Sequence, residues 1–428
     1  MMNNKLAGFF AVVFSVVLVS SPVFAELPPL KSEGKFFESK GTKAEEAYEE
    51  KAGAPVYEYG KGIQLGPAHF KPFIQYDRIW DNNIFRDENG RKEDWINHLN
   101  TGVVGELPLG GGQHLLSGGY AADYEWFERF DSQDHGDHTV DAGLNLNFVP
   151  FSLGIDENFK RTVDRSGTEF TQRVPRNENA VRGLLEVPFA QFFLETEVYD
   201  LDVDYRLPEG EIFNHHDFTI FQRVGFDLSP RTQILGEYGY KNISYGESTV
   251  DRDGDANQVA LGLRGALTEL VTYQIWGGAQ FSIYDDSTRP DYHGPIARGA
   301  IDYAISPTAT IGLKGDRNPQ ESTFDGQSFY VRNRLELNWK QQVAERLYLK
   351  SREIFQYNEY SRENSFIRDN EQVTRKDAVW ETGVGLEYFM PNELVSFFGE
   401  YKYRARESNT GLLDYDDQTV NFGVKATF

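Results

Sequence analysis

Three stretches of this chain carry basic residues at alternate positions. Arg332 and Arg334 sit among Val331, Leu335, Leu337 and Trp339, while Lys350 and Arg352 follow Leu347 and Leu349. Lys402, Arg404 and Arg406 interleave with Tyr401 and Tyr403 after Val395 and Phe397. A spacing of two puts the cations on one face of a strand and the apolar residues on the other. Gathered in this way, Arg and Lys attract anions, and Arg can hold a carboxylate through two parallel hydrogen bonds. Earlier stretches place acids at the same parity: Asp123 and Glu125, Asp141, Asp156, and Glu195 with Glu197. Two roles are open to such walls. They could form an electrically two-sided conduit for charged solutes, or they could pair across strands and keep a wide structure from collapsing. Phe221, Trp276 and Phe398 share that parity and could stack on sugar rings or fill space near a constriction.

Other chemistries find little support. Asp251-Arg252-Asp253-Gly254-Asp255 has the look of a calcium loop, but lacks the EF-hand spacing and its closing bidentate glutamate. His215-His216 precedes Asp217, and His135, His138 and His293 fall in other polar stretches, yet no Gly-x-Ser-x-Gly marks a nucleophile beside them. There is no phosphate-binding glycine loop and no cysteine. Neither a catalytic residue, a resident metal nor a cofactor is expected. The 66 acidic residues against 43 basic ones, a net charge of -23, argue against a nucleic-acid partner.

The elements that must position these side chains are strands joined in two ways. Short interruptions recur at Leu107–Gly112, Val149–Phe151, Val187–Phe189, Leu228–Pro230, Ile305–Pro307 and Met390–Asn392, each with the proline that a ladder interior rejects. Two more, around Leu267 and Gln341, lack it. Long, charged interruptions fall between them: Asp81–Asp94, Asp131–His138, Asp164–Asn179, Pro208–Asp217, Gly246–Asp255, Asp285–Gly294, Asp316–Gln327, Arg362–Arg375 and Glu407–Asp416. Nine long loops and eight short turns join eighteen strands. Short turns on one rim and long loops on the other predict an all-β, antiparallel, up-and-down transmembrane barrel with its turns in the periplasm. The final residues fit that pattern, with Val420, Phe422, Val424, Ala426 and Phe428 on one face of a terminal strand. An aromatic content of 14% suits girdles at the two membrane interfaces. No repeat of propeller length interrupts the series.

The first 25 residues read as a secretory signal: Lys5, an apolar run from Leu6 to Val19, and Val23-Phe24-Ala25 before the expected cleavage. Residues 26–65 form a separate polar segment, with a plausible short helix from Ala44 to Glu50, that serves either as a small periplasmic plug or as an acidic tether. Residues 66–428 make the barrel. Delivery to the Gram-negative outer membrane follows, with lipid and lipopolysaccharide as surroundings.

The barrel opens with Gly66-Pro67-Ala68-His69-Phe70-Lys71-Pro72-Phe73-Ile74-Gln75-Tyr76-Asp77, followed by Trp80-Asp81-Asn82-Asn83-Ile84-Phe85. This stretch resembles the opening strand and first loop of the "Putative beta-barrel porin 2" family, and the likeness extends as a series of hairpins to Phe428. The resemblance implies an outer-membrane exit channel associated with exopolysaccharide export, and implies no catalytic residues. The expectation is therefore passive conduction of a polar, anionic polysaccharide, driven by periplasmic or inner-membrane export components. The alternatives are a general or sugar-selective diffusion porin for small polar solutes and, outside that class, a rim enzyme or an adhesin.

Overall fold

A computed structural model describes residues 62–165, 173–246, 252–322, 328–361, 366–368, 371–410 and 414–428. The expected signal peptide and nearly all of residues 26–65 lie outside these. A short hairpin of β1 (Ile63–Leu65) and β2 (Ala68–Asp81) comes first. Then follow β3 (Asp94–Leu109), β4 (His114–Phe127), β5 (His135–Asn147), β6 (Ser152–Thr162), β7 (Arg176–Phe189) and β8 (Phe192–Tyr205). The middle of the chain supplies β9 (His215–Ser229), β10 (Thr232–Tyr245), β11 (Gly254–Ala266), β12 (Val271–Tyr284), β13 (Tyr292–Ser306), β14 (Ala309–Glu321) and β15 (Phe329–Ala344). After β16 (Leu347–Tyr360), the small hairpin β17 (Phe366–Arg368) and β18 (Glu371–Val373) stands apart, and β19 (Lys376–Phe389), β20 (Val395–Ser408) and β21 (Tyr415–Thr427) complete the wall.

Each long strand pairs antiparallel with its chain neighbours, and β21 returns to β2 from Phe73 opposite Thr427 to Asp81 opposite Thr419. Of the nineteen strands in this sheet, β1 only extends the edge of β2, so eighteen close the barrel. Closure satisfies the backbone within the ladder, as a hydrocarbon surrounding demands. Ile63–Leu65, assigned from sequence to the preceding segment, are part of that sheet, opposite Ala68–Phe70.

Contacts between strands that are not neighbours settle which face is inside. Arg264 on β11 reaches Glu195 on β8, and Arg298 on β13 reaches Glu237 on β10. Side chains three strands apart can meet only through the lumen. The opposite face carries the exposed apolar residues, among them Val224, Val259, Leu261, Ile275, Leu335 and Phe422. Aromatic pairs such as Phe148 with Phe151 and Phe192 with Phe226, each 5.0 Å between centroids, sit beside the short turns, where amphipathic or large rings form a girdle.

The wall departs from a plain cylinder in one place. The β13–β14 ladder stops at Ala297 opposite Arg317, although β13 continues to Tyr292 and β14 to Glu321. Two more steps of that register would set Pro295 against Pro319, and neither can donate to a ladder. Released from β13, the upper ends of β14 and β15 turn inward. Phe329 meets Tyr292 at 5.3 Å and stacks near Tyr284 at 6.3 Å, and Tyr284 Oη donates to the Glu321 carboxylate at 3.3 Å. Tyr284, Tyr292, Phe329 and Val331 form one buried cluster there. On the other side of the mouth, Ile84 and Phe85 of the first long loop fold over Ile96 and Phe127.

Candidate permeation path in the barrel lumen

The lumen is built from strand alternation, so the register of each hairpin decides which side chain enters it. Arg332 and Arg334 share a face with Asn358 and Gln356 of β16, and Lys350 and Arg352 with Gly385 and Gly383 of β19. Lys402, Arg404 and Arg406 lie opposite Gly383, Glu381 and Val379. All seven lie on the lumen face, and the structure gives them local counterions or stacking partners. Arg332 meets Asp316 at 2.9 Å, and Arg334 meets Glu336 at 2.7 Å. Arg352 grips both oxygens of Glu336 at 3.1 Å. Lys350 pairs with Glu387 at 2.6 Å, Lys402 with Glu400 at 2.9 Å, and Arg404 with Glu381. Arg406 is almost wholly buried at the extracellular end, its guanidinium 5.1 Å over the Tyr415 ring.

Most of the acids are engaged as well, although Asp156 keeps a buried Oδ2 without a hydrogen-bond partner. Asp123 accepts from His98 Nε2 and Asn100 Nδ2, both at 2.7 Å, while His98 Nδ1 lies 2.8 Å from the fully buried Asp77. Both imidazole nitrogens thus face carboxylates. Glu125 pairs with Arg173 at 2.9 Å, with His135 at 3.5 Å. Glu195 and Glu197 belong to a larger network that sequence parity alone did not bring together. Arg223 is its hub, 3.0 Å from Glu195 and 2.7 Å from both Glu197 and Glu237. Arg264 adds a contact of 2.9 Å to Glu195, Arg298 one of 2.6 Å to Glu237, and Arg182 one of 2.6 Å to Glu197. Glu195 is so enclosed, at 3% exposure, that it meets its partners rather than solvent. Of the two roles the sequence left open, the observed contacts are those of pairing: acids and cations neutralise each other locally rather than dividing the lumen into two electrical sides.

Aromatic rings back this network. Arg298 lies 4.6 Å over Trp276, Arg223 5.2 Å over Phe221, and Arg264 5.0 Å over Phe193. Trp276 lies against Gly262 of β11, where an added Cβ would come within 2.5 Å of the indole. Gly225 makes the same room for Phe193. Phe398 faces the lumen opposite Glu387 and Gly423. Above the network a cavity of about 480 Å³ is lined by Arg182, Glu197, Phe221, Lys241, Trp276 and Arg298, with Asn318, Gln320 and Glu321 of the inturned β14 on its far side.

Between the strand tips, Arg165 of the β6–β7 connection donates to the Ile84 carbonyl at 2.6 Å, tying two long loops together. Burial, with Arg86 and Arg173 beside it, pulls its guanidinium down to about 9. The histidines weighed from sequence scatter: His215 Nδ1 contacts the Phe213 carbonyl at 2.7 Å, and His138 contacts Tyr120 Oη at 2.9 Å. His216 pairs with Asp200 at 2.7 Å, near Asp202, on the outer face. Of the calcium-like stretch, Asp251 lies outside the described residues, and Asp253 accepts from the Tyr245 amide at 2.7 Å.

No curated protein matches the chain. Among solved structures, it is similar to OccAB3 of Acinetobacter baumannii, at 10% identity over 85% of this chain and 100% of that one, with a TM-score of 0.46. It is similar to OccK2 (OpdF) of Pseudomonas aeruginosa at 11% identity, over 86% and 100% of the two chains, with a TM-score of 0.47. A BenF-like porin from Pseudomonas fluorescens Pf-5 gives 10% identity, 85% and 100% coverage, and a TM-score of 0.47. The family described as "Putative beta-barrel porin 2" matches residues 55–428, nearly the whole chain beyond its first segment, and the protein belongs to that family of outer-membrane β-barrel porins.

Proposed function

We propose that this porin is a passive, sugar-selective channel for small polar solutes, delivered to the outer membrane behind a signal peptide cleaved near Ala25. The observation that carries this reading is the bridging of strands three apart by Arg264–Glu195 and Arg298–Glu237. Such bridges thicken one wall of the lumen on its periplasmic half, and a passing chain would have to run beside them or part them. The inturned ends of β14 and β15, with the loop residues Ile84 and Phe85 opposite, narrow the mouth further.

Arg332, Arg334, Lys350, Arg352, Lys402 and Arg404 would line the wider side of the path together with Asp123, Glu125 and Glu197. Export of an acidic polymer, the expectation drawn from the family resemblance, gains less support, because those cations already hold carboxylates. An acidic sugar would have to compete for each guanidinium. Transport needs no bound energy source here: weak, repeated polar sites let a solute enter and leave.

The test is liposome swelling with a graded series of neutral sugars. Rapid uptake of mono- and disaccharides with a sharp fall for longer oligomers is expected. Equal permeation by long acidic oligosaccharides would replace this reading with polymer export, and an absence of any uptake or current would remove the channel itself.

A further inference from the structure

We infer that the cavity between the ion network of the periplasmic half and the inturned β14 end is a binding chamber for an uncharged saccharide of one or two rings. The inference deepens the channel reading by naming the site and the class of solute, and rests on it. At about 480 Å³ the cavity falls in the range of small-molecule sites. Its floor is Arg182, Glu197 and Arg298, and its far side is Asn318, Gln320 and Glu321.

Charge decides the class of ligand. The cations of the chamber's lining are Arg182, Lys241, Arg298 and Arg317; the first three lie within 2.7 Å of Glu197, Asp217 and Glu237 respectively, and Arg317 donates to Asn333 Oδ1 at 2.5 Å. Of the other acids of the lining, Asp316 is held by Arg332 at 2.9 Å, Asp255 accepts from Tyr240 Oη at 2.7 Å and Glu321 from Tyr284 Oη at 3.3 Å. An anion entering here would have to displace a partner already in place, and a cation likewise. What the walls offer besides charge is hydroxyl and amide chemistry from Thr219, Gln280, Ser282, Asn318 and Gln320, with Asn318 Oδ1 buried and without a hydrogen-bond partner. Sugars match that balance of donors and acceptors. Phe221 adds an aromatic surface against which the apolar face of a pyranose packs, and Trp276 lies directly beneath Arg298 of the floor.

Trp276 also provides a reporter. Five of the six tryptophans, Trp80, Trp95, Trp126, Trp339 and Trp380, stand on the outer face of their strands, and Trp276 alone faces the lumen.

The experiment measures tryptophan emission of the detergent-refolded protein against sucrose and against glucuronate, alongside single-channel current in a planar bilayer. Sucrose is expected to shift the emission and interrupt the current. The shift should vanish in Trp276→Phe, and the apparent affinity should fall on the order of ten-fold in Gln280→Leu combined with Asn318→Leu. A glucuronate response stronger than that to sucrose would overturn the ligand class. A conducting channel whose emission and current ignore sucrose would overturn the chamber. An emission response without any current would keep the chamber and remove the channel reading, so the two fail separately. Circular dichroism of each variant guards against a mere folding defect.

Discussion

Two sectors of the same lumen handle their charges in opposite ways. Between β7 and β13, guanidinium and carboxylate groups pair across neighbouring strands and, in two cases, bridge strands that are not neighbours, and Glu195 and Glu237 are left with at most 4% of their side-chain surface exposed. Between β14 and β20, pairs form within a strand or with the next one, as in Arg334–Glu336 and Lys350–Glu387, and Arg352 and Lys402 keep 37% and 50% exposure. The first arrangement spans a chord and fixes a shape. The second lies flat on the wall and leaves its charges in contact with water. Identical residue types are therefore enclosed in one sector and left in contact with water in the other, with the exposure of the paired groups as the difference.

Removing one member from each sector should break the comparison most visibly. Arg223→Ala removes a shared cation from three carboxylates, two of them buried, each left with one remaining arginine, and a loss of about 3 kcal/mol in urea unfolding of the folded barrel is expected. Arg352→Ala, partly solvated and on the wall, should cost about 1 kcal/mol or less in the same measurement. Equal losses would mean that enclosure of the partners does not matter. A second change sharpens the geometry: Pro295→Val with Pro319→Val should let the β13–β14 ladder continue, draw the inturned ends back into the wall, and raise single-channel conductance about two-fold, as expected when a constriction is relieved. Unchanged conductance would place the narrowest point elsewhere.

Selectivity should follow the solvated sector. Arg352→Ala with Lys402→Ala is expected to move the reversal potential toward cations, and the shift should shrink as salt rises, because exposed charges are screened. Arg223→Ala should show less of this salt dependence, since its partners are enclosed. The smallest effect expected is from Arg165→Met, which loses one loop-to-loop hydrogen bond, to the Ile84 carbonyl. Its signature would be greater current noise at unchanged mean conductance.

Much of this was legible in the sequence. Period-two alternation put Val140, Leu144, Val224, Phe226, Phe397 and Phe422 on the lipid side, and the alternation of short turns with long loops counted the strands, because lipid and ladder leave little freedom in either. The same parity placed Arg332 and Glu195 on the inner face. It could not say which inner residues meet. Arg264 touches Glu195 only because β8 and β11 curve toward each other, a property of the closed barrel and of no single hairpin. His98 was missed for a similar reason. Its two carboxylates, Asp77 and Asp123, come from the strands on either side, and neither spacing nor residue type marks the trio. The split above Ala297 and Arg317 had a visible signal in Pro295 and Pro319, but only the register reveals that they would have stood face to face.

That split has a consequence for the cell surface. A closed cylinder has no strand edges, whereas the parting of β13 and β14 creates two at the extracellular rim, that of β14 carried inward with its strand. An open edge is a template on which a foreign strand can pair and aggregate. Here each edge carries a proline, which withholds an amide hydrogen where an incoming strand would seek one. The residues that open the seam also make it a poor place for anything else to stick.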